Sequence, residues 1–567
     1  MACDCGCADH EAPKGFEGCA DPKAPKGSYY ITTPIYYVNA APHLGTAYST
    51  IIADVQARFR RADGYDVLFL TGLDEHGQKV ADSAAANGVT PQQWCDKMVP
   101  PFQELWSELE ISNDDFIRTT QPRHERAVQH FWEVLKEKGY IYKGNYEGWY
   151  CVPDETFYTE TDVRHANEDE NGNFDETAVP LCPDCKRPLV RISEESWFFK
   201  LSAFQQPLLD YYAAHPDFIQ PEIRRNEVVS FVEGGLKDLS VTRTTFDWGI
   251  PLPFDPQHVT YVWFDALLNY ITAAGYGDPE REATDMPWRW PAQQHIVGKD
   301  IIRFHCVIWP AMLMAAGLDL PEHVLAHGFL LVRNAQTGKG EKMSKSRGNA
   351  IAPRQVIDLL GVEGYRYYFM TDVAHGTDGA VSFERMAQVY NADLANSWGN
   401  LVSRTLNMAA KYFDGCSPRR AEGFAERESP LSVAAQGIYG RYAEHMKAFD
   451  YQAAAKDVMA LVAEANLYIE NSAPWALAKD PAKAEELAFV IWGLIEAIRI
   501  AATLLAPFTP ATSAEVMKRI GLAGEGAGAQ GLLLEDACVW GLFEGGAPVE
   551  KGAALFPRLA EEDLPCA

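Results

Sequence analysis

Two short segments of this 567-residue chain carry residue types suited to phosphate chemistry. His43-Leu44-Gly45-Thr46 follows an extended run, Ser28-Tyr29-Tyr30-Ile31-Thr32, and a turn at Pro34. It opens a segment with apolar residues at Leu44, Ala47, Tyr48, Ile51, Val55 and Phe59, the spacing of a helix face. The N-terminus of such a helix presents unpaired N–H groups and partial positive charge, which attract phosphate. Gly45 lets a flat ligand approach the backbone, His43 can donate to a phosphate oxygen, and the Thr46 hydroxyl suits a ribose or phosphate oxygen. About 300 residues later, Lys342-Met343-Ser344-Lys345-Ser346 puts two lysines on a loop between Gly338, Gly340 and Gly348. Mobile ammonium groups fit the negative charge that grows on a departing pyrophosphate.

Positioning these segments requires a scaffold of strands with helices between them. Asp66-Val67-Leu68-Phe69-Leu70-Thr71, Gln294-His295-Ile296-Val297-Gly298 and Glu322-His323-Val324-Leu325-Ala326-His327 are apolar runs of the kind found in buried parallel strands. The pattern indicates an α/β fold: a doubly wound, Rossmann-like parallel sheet split by an insertion and followed by an α-helical bundle. The expected divisions are a disordered tail over 1–26, the first half of the catalytic domain over 27–140, and an insertion over 141–245. The second half follows over 246–330, then the lysine loop and its connecting region over 331–389, and the bundle over 390–567. In the bundle, charges alternate with apolar stripes such as Leu394, Trp398, Leu401 and Leu406.

Taken together, the two motifs resemble those of class I aminoacyl-tRNA synthetases, and their surroundings resemble the methionyl-tRNA synthetase family from roughly Ser28 to Arg558. The resemblance implies ATP-dependent activation of methionine to methionyl-adenylate, release of pyrophosphate, and transfer to the terminal adenosine of tRNA(Met). It gives catalysis and ATP binding to His43, Gly45, Thr46, Lys342, Ser344 and Lys345, with Mg²⁺ accompanying ATP. The first motif departs from the family at Thr46, where a second histidine is common. Asp74, within Gly72-Leu73-Asp74-Glu75-His76-Gly77, would take the methionine ammonium; a helix cap is the alternative. Pro34, Ile35, Tyr37, Trp263, Ala266, Leu267, Tyr270, Ile301 and His305 match positions lining the side-chain slot. Asn400 and Arg404, four apart, share one helix face, and with Trp475 they match the anticodon readers that the resemblance implies. Physics alone would read Trp475 as a core aromatic.

Cys182-Pro183-Asp184-Cys185 has the gap of a zinc knuckle, and Cys151 and Asp154 repeat it upstream. Either these four residues hold one structural Zn²⁺ or the knuckle is metal-free. Cys3, Cys5, Cys7, His10 and Cys19 likewise form either a ligand set or a flexible thiol-rich tail, while Cys306 and Cys538 lie in apolar runs and read as core. Twelve cysteines in a chain of this length do not form a disulfide framework.

The formal charge of −28 argues against general affinity for nucleic acid; an acidic enzyme can still bind tRNA through a local positive face, and the charge predicts weaker and strongly salt-sensitive association. No uninterrupted apolar run reaches the ~20 residues of a membrane span, and the N-terminus lacks a secretory signal. A cytoplasmic monomer without membrane contact is expected. Three other readings share features of the chain. A synthetase for isoleucine, valine or leucine would need a larger editing insertion. A small nucleotidylyltransferase would not need the bundle, and a silent tRNA-binding scaffold would not need Asp74 with both lysines.

Overall fold

The computed structural model describes residues 24–152, 156–158, 163–166, 178–183, 185–333, 339–343, 349–522 and 532–565. The expectations for the cysteine-rich tail, Asp154, Ser344 and Lys345 fall outside the described residues.

Among the described residues, six strands form one parallel sheet in the order Asp115–Arg118, Asp66–Asp74, Ser28–Tyr37, Gln294–Gly298, Val324–His327, Ile219–Gln220. The chain winds outward in opposite directions from Ser28–Tyr37 and Gln294–Gly298. A crevice therefore opens between them at the carboxyl ends, where doubly wound sheets bind ligands. The three apolar runs singled out in the sequence are all strands here, and helices cover both faces. Tyr37 pairs with Asp74, so two neighbouring strands end side by side at that edge. Their register shifts between Thr32 and Ile35, around Pro34, which lacks an N–H for the ladder. Gly72 lets the sheet close: a Cβ there would lie 2.1 Å from the Ile117 carbonyl oxygen.

The helix Leu44–Ala62 buries its expected apolar face and also Ser49, Thr50, Asp54 and Gln56. It is enclosed because the sheet lies on one side and the C-terminal helices on the other. Tyr451 donates to the Ile52 carbonyl at 3.3 Å, and the Phe59 and Tyr442 rings meet at 6.0 Å. One apolar core runs from Tyr29 and Ile31 through this helix to Trp398, Trp492 and Phe508. Inside it, Arg366 Nη2 meets Asp54 Oδ2 at 2.6 Å, both side chains fully buried. Arg366 also donates to the Leu109, Pro507 and Phe508 carbonyls, satisfying the guanidinium as a buried ion pair requires. Burial alone would raise the Asp54 carboxyl, but Arg366 and Arg58 outweigh it and hold it at about 2.

In the insertion, Ile141–Cys151 runs antiparallel to Val190–Phe199, carrying the cysteine knuckle at the far end of the ribbon. Ile219–Gln220, inside the expected 141–245 insertion, is the edge strand of the catalytic sheet instead. Two paired residues are too short to register as a strand pattern.

The C-terminal bundle includes the helices Asn400–Tyr412, Ile438–Lys447, Tyr451–Ser472, Ala484–Leu505 and Pro510–Arg519. The stretch Pro481–Leu505 is long and apolar enough to cross a bilayer, yet 94% of its apolar window is buried inside the protein. It is the core helix of the bundle, and its Glu496–Arg499 ion pair at 2.7 Å is buried with it. The last described segment packs back on the body, where Leu559 and Asn391 exchange two hydrogen bonds at 2.9 Å.

Candidate active site

His43 is the N-cap of the helix Leu44–Ala62. Its Nδ1 accepts from the Gly45 and Thr46 N–H groups at 3.1 and 3.3 Å, so the proton of the neutral ring sits on Nε2. A side chain at Gly45 would crowd this ring, with a Cβ 3.1 Å from the His43 imidazole. Thr46 completes a capping box: its hydroxyl accepts from the His43 N–H at 2.8 Å and donates to the His43 carbonyl at 2.5 Å. Its donor is used locally, its side chain is buried, and what it positions is His43.

Asp74 ends its strand buried at the crevice, beside Tyr37. The Tyr37 ring meets Trp263 edge-on at 6.1 Å, and Trp263 stacks on Phe304 at 3.9 Å. Trp263 and Ala266 ride on the helix Val262–Ala266, followed by buried Leu267 and Tyr270. The side chains of Pro34, Ile35 and Tyr37 come from the opposing strand end. Tyr270 donates to His305 Nε2 at 2.7 Å, while His305 Nδ1 donates to the Ile301 carbonyl at 3.0 Å. Burial pushes His305 down to about 4, so it is a neutral ring with a fixed tautomer. It sits in a π-helical stretch, Phe304–Ile308. Such a widened turn is a frequent companion of functional sites.

The strand Gly340–Lys342 pairs antiparallel with Leu330–Arg333. Lys342 is exposed, with its ammonium 5.6 Å from the centre of the Phe329 ring; Lys299 lies 4.5 Å from the same ring. His327, two residues before Phe329, hydrogen bonds Ser49 at 2.6 Å, and Ser49 in turn reaches the Gly45 carbonyl at 3.1 Å. A short chain of contacts thus ties the His43 cap to the base of the lysine hairpin. Both stand at the same edge of the sheet.

On the bundle, Asn400 is exposed at the start of its helix and Arg404 pairs with Glu470 at 2.6 Å. Glu470 ends the helix that leads into Trp475. That turn is forced by Ala473, whose φ of 41° is left-handed, and Pro474 then opens the short helix Pro474–Leu477. Trp475 is 43% exposed, which removes the core reading of this ring. At the knuckle, the sulfur atoms of Cys151, Cys182 and Cys185 lie within 4.8 Å of one another, and the Cys185 N–H donates to Cys182 Sγ at 3.4 Å. Three convergent thiols, one supported by a backbone N–H, fit the donor set of a zinc site.

Comparison with known proteins decides the family. Residues 29–406 match the family described as tRNA synthetases class I (M), and residues 420–564 match the anticodon binding domain of methionyl tRNA ligase. The chain belongs to the methionyl-tRNA synthetase family. Its activity is that of a methionine–tRNA ligase. Methionine–tRNA ligase of Streptomyces coelicolor is 46% identical over 543 residues, covering 94% of this chain and 97% of that protein. The enzyme of Caldanaerobacter subterraneus is 45% identical over 535 residues, covering 94% and 79%. The structure of Mycobacterium tuberculosis methionyl-tRNA synthetase in complex with methionyl-adenylate superposes with a TM-score of 0.84 at 41% identity, covering 94% of this chain and 100% of that one.

Within this synthetase, two residues beside the crevice escape a reading of the sequence. His295 lies behind the pocket, its ring 4.3 Å from Tyr270, donating from Nδ1 to Thr32 at 2.8 Å and accepting from Trp309 at Nε2. Burial, with His305 nearby, pushes it well below the ordinary histidine range. A histidine inside an apolar strand was a usable signal. Phe304, the stacking partner of Trp263, gave none, because an aromatic beside a pocket helix looks like core.

Proposed function

We propose that the crevice binds ATP against the His43 cap and methionine against Asp74, so that the methionine carboxylate faces the α-phosphorus. Attack forms the carboxyl–phosphate bond of methionyl-adenylate as the bond to pyrophosphate breaks. No protein nucleophile takes part, so rate enhancement comes from positioning and charge stabilisation. His43 Nε2–H faces the phosphates, Gly45 leaves room beside that ring for the nucleotide because it carries no side chain, and Thr46 holds His43 in place. Lys342, Ser344 and Lys345 take the pyrophosphate, and Mg²⁺ enters with ATP. Asp74 holds the ammonium. Pro34, Ile35, Tyr37, Trp263, Ala266, Leu267, Tyr270, Ile301 and the neutral His305 line the thioether slot, where sulfur–aromatic contacts are favourable. The observation that carries this reading is the shared crevice edge of Asp74, the His43 cap and the Lys342 hairpin. Pyrophosphate exchange measured with methionine, isoleucine, valine and leucine tests it: exchange should depend on methionine.

The second substrate is tRNA(Met), read by Asn400, Arg404 and Trp475 on the bundle, with the enzyme acting as a cytoplasmic monomer. An exposed indole, following a helix whose Glu470 pairs with Arg404 on the helix that also carries Asn400, suits one stacked base with hydrogen bonds to base edges. Trp475→Ala should raise the tRNA KM by about 5- to 150-fold, the range for losing one base stack, and leave methionine-dependent exchange unchanged. An equal loss in both assays contradicts the assignment. At the knuckle, Cys151, Cys182 and Cys185, with Asp154, would hold one zinc as a structural crosslink. The buried cluster around them is small, with Cys151, Tyr158, Val163, Cys182 and Leu189 as its core, and a cluster of that size gains much of its order from a metal. Elemental analysis of purified enzyme should find zinc near stoichiometric, lost on Cys182→Ser; metal-free protein with an intact knuckle contradicts this.

A further inference from the structure

Asp265 lies between Trp263 and Ala266 in sequence but points away from the slot, into the protein. His76 Nδ1 meets its Oδ2 at 2.6 Å and His124 Nε2 meets its Oδ1 at 2.6 Å. All three side chains are buried. The second ring nitrogen of His124 faces the Thr272 hydroxyl at 3.2 Å. Burial alone would raise the Asp265 carboxyl; the two histidines outweigh it and hold it below the usual range. His76 belongs to the loop that immediately follows Asp74. That loop is also fixed by Trp248, which donates to the Glu75 carbonyl at 2.6 Å, and by Arg118, which donates to the Glu75 carboxylate at 2.7 Å. The carboxylate of Asp265 thus joins two parts of the pocket that come from different halves of the catalytic domain: the loop carrying Asp74 and the helix carrying Trp263 and Ala266.

We propose that Asp265, clamped by His76 and His124, is a positioning residue that sets the spacing between Asp74 and the Trp263–Ala266 side of the methionine pocket. The inference rests on the methionine pocket proposed above. It requires that loosening the clamp weaken methionine binding while ATP binding, which uses the His43 cap and the lysines, is spared. Displacements of about 1 Å in such a site cost up to ~100-fold.

Asp265→Asn should raise the methionine KM in pyrophosphate exchange about tenfold or more, with the ATP KM changed less than about threefold. Two pairs of variants separate the hydrogen bonds from packing. His76→Asn and His124→Gln place an amide N–H where Nδ1–H and Nε2–H stand, and should keep the methionine KM near that of the parent enzyme. His76→Ala and His124→Ala should raise it as Asp265→Asn does. The inference is overturned if methionine and ATP KM rise together, or if the amide variants behave like the alanine ones. Should Asp265→Asn fail to fold, the histidine pairs decide alone. Asp74→Ala run in parallel distinguishes the two failures. If it leaves the methionine KM unchanged the pocket itself is misassigned; if it raises that KM while the clamp variants do not, only the clamp is wrong.

Discussion

Asp74→Ala raises the methionine KM by roughly two to three and a half powers of ten, because an ammonium desolvated without its carboxylate loses about 3–5 kcal/mol. The side chain is buried at the end of its strand, in register with Tyr37, so little water can replace the lost charge. The chain should fold normally, since Asp74 stands at the end of its strand. Steady-state exchange at saturating ATP reads the effect. A change smaller than threefold would show that the ammonium is held elsewhere.

The second large effect concerns the lysines. Lys345→Ala should slow adenylate formation by about 2–4 kcal/mol of barrier, with methionine affinity nearly unaltered. Lys342→Ala should act in the same direction. Its ammonium stands over Phe329 on an exposed strand, where the substitution should leave the fold intact. Single-turnover formation of methionyl-adenylate separates the chemical step from binding. An equal loss of methionine affinity would contradict a role confined to the departing pyrophosphate.

Much of this was legible in the residues themselves. The run from Asp66, the run Gln294–Gly298 and the helix beginning after His43 announced a parallel sheet and its binding edge, because buried strands must be apolar on both faces. The joint pattern around Asp74, Trp263 and Tyr270 pointed to residues that the fold brings to one crevice, on which the proposed methionine pocket rests. What stayed hidden depends on contacts between distant segments. Thr46 was read as a ligand group, and only the folded cap shows its hydroxyl turned back on His43. The two-residue strand Ile219–Gln220 carries no period to detect. The widened turn at His305 leaves no mark in spacing. The clamp joins residues 76, 124 and 265, each ordinary in its own neighbourhood, and Trp475 looks like core until the left-handed Ala473 is seen to turn it outward.

The central claim is that the His43 cap and the lysine hairpin hold the same triphosphate. A crystal structure of the enzyme with methionine and a non-hydrolysable ATP analogue tests it most directly. The account predicts one nucleotide in the crevice, with His43 Nε2 and at least one of Lys342 and Lys345 each within about 3.2 Å of its phosphate oxygens. A nucleotide touching only one of the two segments, with the other turned toward separate solvent, would contradict it.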